Sequence, residues 1–110
     1  MATAILLNKD QMGHGDAELG RKILATFLRK SIAVADLEWV CLFNAGVKLA
    51  TRDSPVAPEL TLLHERGVDV IPCATCVDFY GLRNNLCVER IGTMDDIVDA
   101  LRKATRVVTL

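Results

Sequence analysis

The chain has 110 residues, a net charge of −1 and 51% hydrophobic residues, with a mean hydropathy of +0.28. That length reads as one domain, residues 1–110, with enough chain to bury a core without staples. The charges are mixed, no basic stripe is present and there are only one Trp, one Tyr and three Phe, which argues against nucleic acid as a partner, and no stretch reaches membrane-spanning length.

So much apolar residue in so small a chain points to a subunit contact. The start, Met1 to Leu7, lacks the basic region and apolar length of a signal segment. Four cysteines without such a segment read as reduced thiols in a cytoplasmic protein, not as a disulfide framework.

In chain order, the apolar run Thr3–Leu7 predicts a first strand. A polar loop from Asn8 to Gly15 follows, and Asp16 is placed to cap a helix. Leu19, Ile23, Leu24, Phe27 and Leu28 recur at helical spacing and form its expected inner face. Leu37–Phe43 reads as a second buried strand. Asn44–Val56 reads as a loop with one turn of helix. Pro58 suits the first turn of the next helix, with Leu60 and Leu63 inward and Gly67 past its end. Val68–Ile71 is the third expected strand, followed by a short helix over about residues 76–83. Val88–Ile91 is expected as a fourth strand. Thr93-Met94-Asp95-Asp96 resembles a capping box with Asp in place of Glu, and Met94, Ile97, Val98 and Leu101 face inward beyond it. Arg106–Leu110 is the fifth expected strand. This alternation predicts an α/β fold: a three-layer α/β/α domain with a mainly parallel five-stranded sheet.

The chemistry concentrates at Cys73-Ala74-Thr75-Cys76. Two thiols stand where a buried strand, ended by Pro72, hands over to a helix. Ligands collect at that edge of parallel sheets, and a helix start favours thiolate. Cys73 is the expected nucleophile. Cys76, one turn on, is expected either to resolve it or to pack as a plain helix residue. Thr75 is placed to cap the helix or to donate to the Cys73 sulfur, with capping favoured. His14, in the loop after the first strand, reaches the same edge as a proton shuttle or as an exposed loop residue. Asn44, Asn8 and Met12 share that edge. Phe79-Tyr80 reads as a flank of the cysteine pocket or of a subunit contact. Trp39 and Phe27 read as core or interface. Cys41 and Cys87, each among apolar neighbours, read as core, and His64 as solvated.

Other classes are weaker. Gly13 and Gly15 precede a helix, yet their spacing fits neither phosphate-loop pattern; a small anion is the most they support. One CxxC supplies two metal ligands where structural zinc needs four, so no metal or other cofactor is expected.

The run from Gly67 to Leu82, Gly-Val-Asp-Val-Ile-Pro-Cys-Ala-Thr-Cys-Val-Asp-Phe-Tyr-Gly-Leu, resembles the DsrE/DsrF-like sulfurtransferase family. It looks most like the C-terminal domain of YedF-type selenium-metabolism proteins. Phe43 to Ala50, Ser54-Pro55 and Met94 to Val98 fit the same pattern, so the resemblance spans nearly the whole chain. It implies a homo- or hetero-oligomer, often trimer-based. It also implies sulfane sulfur carried as a persulfide, with Cys73 aligned to the sulfur-bearing cysteine. Ala74 replaces the usual glycine of that motif. YedF-type proteins also carry a domain similar to the sulfur carrier TusA, which residues 1–110 do not contain; by the resemblance the chain works with a separate sulfur donor or acceptor protein, acts alone, or has left that chemistry behind.

Two alternatives stand beside sulfur transfer. One is a dithiol–disulfide oxidoreductase using Cys73 and Cys76, although no proline follows the motif to serve as the cis-proline of a thioredoxin-like site. The other is a non-enzymatic oligomeric binding subunit.

Overall fold

In the computed structural model, which describes residues 1–110, four strands form one parallel sheet. They are β1 (Thr3–Leu7), β2 (Leu37–Leu42), β3 (Asp69–Pro72) and β4 (Arg106–Thr109), in the order β3-β2-β1-β4. Four α-helices connect them: α1 (Ala17–Ser31), α2 (Ala57–Glu65), α3 (Ala74–Phe79) and α4 (Met94–Lys103). Parallel neighbours need crossovers, and these are right-handed. The path β1–α1–β2–α2–β3 steps one way across the sheet, so α1 and α2 share a face. They meet there through Arg29 and Glu59, 3.5 Å apart. The return from β3 to β4 puts α3 and α4 on the other face, giving three layers. With both faces covered, the central strands are apolar runs without alternation: Val40, Cys41 and Leu42 of β2 are all fully buried.

The helix signals act as the residues dictate. Asp16 caps α1, its Oδ1 accepting the Leu19 N–H at 2.8 Å. Pro58 lies in the first turn of α2, where Leu60 and Leu63 are buried. The capping box of α4 is complete: Thr93 accepts the Asp96 N–H, and Asp96 accepts the Thr93 N–H at 2.8 Å. The Thr93 N–H would otherwise lack a partner, while the Asp96 N–H also reaches the Thr93 carbonyl at 3.1 Å.

Three expectations need correction. Val88–Ile91 is not a strand, so the sheet has four strands and not five. Glu89 is exposed, and the segment makes ladder-like contacts only near its ends, Leu86 with Thr51 and Gly92 with Cys73. Arg90 instead ties it down through ion pairs to Asp69 of β3 at 3.1 Å and to Asp96 of α4 at 3.8 Å. Leu19, Ile23, Met94 and Val98 are exposed, not inward; α1 buries Gly20, Leu24, Leu28 and Ser31, and α4 buries Ile97 and Ala100. Asn44–Val56 holds more than one turn: Asn44–Ala50 is a seven-residue 3-10 helix, four of whose residues are buried.

Gly46 explains how that helix fits. A Cβ there would collide with the backbone carbonyl of Leu7 at the end of β1, so only glycine lets the segment cross the strand end. That close approach fixes where Asn44, two residues earlier, is held.

Candidate functional site

After β2 the chain turns toward the layer of α2; after β3 it turns toward that of α3 and α4. Adjacent strands whose exits diverge leave a crevice beyond their carboxyl ends, where parallel sheets place ligands. Here the crevice brings Asn44 and Cys76 together.

Cys73 ends the β3 side. Its N–H donates to the Leu42 carbonyl at 2.9 Å, extending the β2–β3 ladder by one residue, and the Ala74 N–H donates to Gly92 at 2.7 Å. Cys73 is the N-cap of α3, with no side-chain capping bond. It is only 2% exposed. Cys76, one turn on, is partly exposed and faces a cleft of about 440 Å³ lined also by Phe43, Asn44, Thr75, Phe79, Tyr80 and Met94. That volume is in the range of small-ligand sites.

Asn44 is the only non-glycine residue with positive φ, at 50°. Asparagine tolerates this left-handed conformation better than most residues. It aims the Asn44 N–H at Cys76 Sγ, 3.1 Å away. Its side-chain Oδ1 accepts from the Tyr80 hydroxyl at 3.0 Å. Tyr80 packs edge-on against Phe79, with ring centroids 5.2 Å apart, and Lys48 Nζ lies 4.6 Å from the Tyr80 ring centre. A backbone donor, a phenol and a cation thus hold one wall of the cleft in place.

The electrostatics differ from the sequence expectation. Burial pushes the Cys76 thiol pKa up, the Asn44 N–H opposes that, and the adjacent Cys73 side chain adds to the rise. A six-residue helix does not reverse the desolvation.

The other expected residues fall as follows. Thr75 lines the cleft but is exposed and caps nothing; Cys73 holds the N-cap position. His14 is exposed and, like Asn8 and Met12, is absent from the cleft lining. Phe79 and Tyr80 do flank the cysteines. Cys41 is fully buried, and burial pushes its thiol to about 11, so it is core as expected. Cys87 is only partly buried, packed against the core beside Thr61 at the edge of a separate cleft of about 530 Å³. His64 is exposed, and Trp39 and Phe27 pack partly buried against the core. Asp78 pairs with Arg83 at 2.8 Å, which draws its carboxyl pKa down and anchors the exit of α3. Sequence reasoning missed Phe43, Lys48 and Met94. Periodicity places Met94 inward, and its position just inside a capping box next to the site edge is the available clue.

No three His, Cys, Asp or Glu side chains converge as a metal site would require. No helix is long and apolar enough to cross a membrane.

The model of the DsrE/DsrF-like family matches residues 1–110. Among curated proteins none matches the chain. Solved structures do. The ychN protein from E. coli superposes with a TM-score of 0.72 at 19% identity, over 99% of this chain and 98% of that one. Protein MTH1491 from Methanobacterium thermoautotrophicum, described as of unknown function, gives 0.73 at 17% identity, over 99% and 98%. BT1422 from Bacteroides thetaiotaomicron, similarly described, gives 0.68 at 17%, over 99% and 94%. These likenesses establish the shared fold.

Proposed function

This chain belongs to the DsrE/DsrF-like family, and on that basis we propose that it transfers sulfane sulfur through the Cys73/Cys76 pair. The observation that carries the proposal is the Asn44 N–H held 3.1 Å from the sulfur of Cys76, a thiol that opens onto a cleft. A backbone donor in that place favours the charged form of a sulfur nucleophile. Accessibility makes Cys76 the thiol that meets the donor and Cys73 its buried neighbour. By sequence, Cys73 ranks first, on its alignment with the sulfur-bearing cysteine of the family and its place at a helix start; the exposure of Cys76 supports the reverse order.

The transfer balances simply. The Cys76 thiolate attacks the outer sulfur of a donor persulfide, the Cys76–S–S bond forms, and the donor leaves as a thiolate. An acceptor thiolate then attacks that outer sulfur and releases Cys76 unchanged in oxidation state. Selenium in place of sulfur follows the same steps, which is where the likeness of the Gly67–Leu82 run to YedF-type domains enters the proposal. The donor and acceptor are separate proteins in a reducing cytoplasm, where four free cysteines stay reduced. Assembly as a homo-oligomer, trimer-based by family resemblance, belongs to the same reading; exposed Phe79, Met94 and Val98 supply apolar surface for it.

Intact mass spectrometry with peptide mapping, after incubation with a cysteine desulfurase and cysteine, tests the proposal. We expect a reductant-sensitive gain of one sulfur on Cys76, absent in Cys76→Ser and retained in Cys41→Ser. Selenocysteine as the substrate asks the selenium question. No gain on Cys76, in wild type or in Cys73→Ser, under conditions that load a known carrier would defeat the reading.

A further inference from the structure

The geometry points to a second activity at this site, resting on the transfer reading: Cys73 ends an unclaimed Cys76 persulfide by displacing sulfide and closing a Cys73–Cys76 disulfide. Three observations carry it. Cys73 and Cys76 occupy the N-cap and third positions of α3, and the Cys73 side chain lies near enough to Cys76 to act on its thiol. A disulfide asks for Cβ atoms about 3.5–4.5 Å apart, and two cysteines separated by two residues at a helix start need only a local adjustment to meet it. Second, Cys73 is 2% exposed. An outside molecule is thereby kept from its sulfur, and the neighbouring Cys76 is the partner within its reach. Third, the outer sulfur of a Cys76 persulfide would extend into the cleft among Asn44, Phe79 and Tyr80, while its inner sulfur stays on the Cys73 side. An arriving acceptor and Cys73 therefore address different sulfur atoms.

In the step, the Cys73 thiolate attacks Cys76 Sγ. The Cys73–Cys76 bond forms, the bond to the outer sulfur breaks, and hydrosulfide leaves and takes up the proton that Cys73 gave up. The sulfane sulfur is reduced to sulfide, and the two cysteine sulfurs are oxidised to the disulfide. No other oxidant takes part. A small-molecule dithiol restores both thiols.

Wild type, Cys73→Ser and Cys73→Ala, each shown folded by its thermal transition, are treated with limiting inorganic polysulfide. Sulfide is trapped and intact mass is followed over time. In wild type the sulfur gain on Cys76 should be transient, ending in a chain lighter by two hydrogens with Cys73 and Cys76 in one cross-linked peptide. In both variants the gain should persist on the order of tenfold longer or more, the intramolecular attack being gone. Wild type holding its persulfide as long as the variants would overturn the inference and leave sulfur transfer standing. Failure of every form to load Cys76 would overturn the transfer reading and this one together.

Discussion

Two residues set the character of the site, Cys76 and Asn44. Burial raises the Cys76 pKa more than the Asn44 N–H lowers it. Alkylation of Cys76 by iodoacetamide should therefore keep accelerating above pH ~8.5, the ordinary thiol value. A rate already flat at neutral pH would show an activated thiolate instead. Asn44 offers two separable contributions, its backbone N–H to Cys76 and its side chain to Tyr80. Asn44→Gly keeps the positive φ and should retain sulfur loading. Asn44→Val, whose branched Cβ resists that conformation, should lose stability and loading together. Loading lost in the glycine variant would assign the work to the side chain.

At the scale of elements, the sequence carried the caps and the buried runs but not the fit between segments. Asp16, Pro58 and Thr93 each occupy the position their chemistry indicates, because capping is local. Val88–Ile91 looked like a strand because it begins and ends apolar. Arg90 binds Asp69 and Asp96 instead, and only the folded chain brings those carboxylates near it. The cysteine motif and Asn44 were legible as neighbours at a sheet edge. That Cys73 would be buried and Cys76 open was not, since it depends on segments distant in sequence: the Leu42 and Gly92 carbonyls accept from the Cys73 and Ala74 N–H groups and fix the turn between β3 and α3. Topology alone brings His14 to the site edge, and its loop holds it in solvent. The crossing at Gly46 gives a test of how elements position the site. Gly46→Ala forces a methyl against the Leu7 carbonyl and should cost about 1–3 kcal/mol, the usual effect of overpacking. It should also slow sulfur loading, read by urea unfolding and by mass; unchanged values for both would mean the crossing is not tight.

For the molecule as a whole, stability and reactivity rest on different thiols. Cys41, in the fully buried part of β2, has its pKa raised to about 11 by burial. The unfolded chain releases that proton near pH ~8.5. The stabilising effect of the neutral folded thiol is therefore intact below pH ~8.5 and is lost as pH rises from there through the folded value of about 11. Urea midpoints across that alkaline window should fall more steeply for wild type than for Cys41→Ala, measured against each protein's own neutral value; parallel slopes would exclude Cys41 as the source. The four-stranded order β3-β2-β1-β4 places this thiol mid-sheet and the Cys73/Cys76 pair at the strand exits. Alkaline loss of the fold and chemistry at the cleft can therefore be followed separately in one sample.

The Asn44 amide proton has a sulfur atom as its acceptor. Its nuclear magnetic resonance signal is consequently a built-in reporter of that atom. Alkylation, sulfur loading or disulfide closure at Cys76 each changes the electron density facing the proton, and each should move the resonance to its own position. Amides in the middle of α2 should stay still, providing the internal reference for watching the thiol change state in an unlabelled cleft.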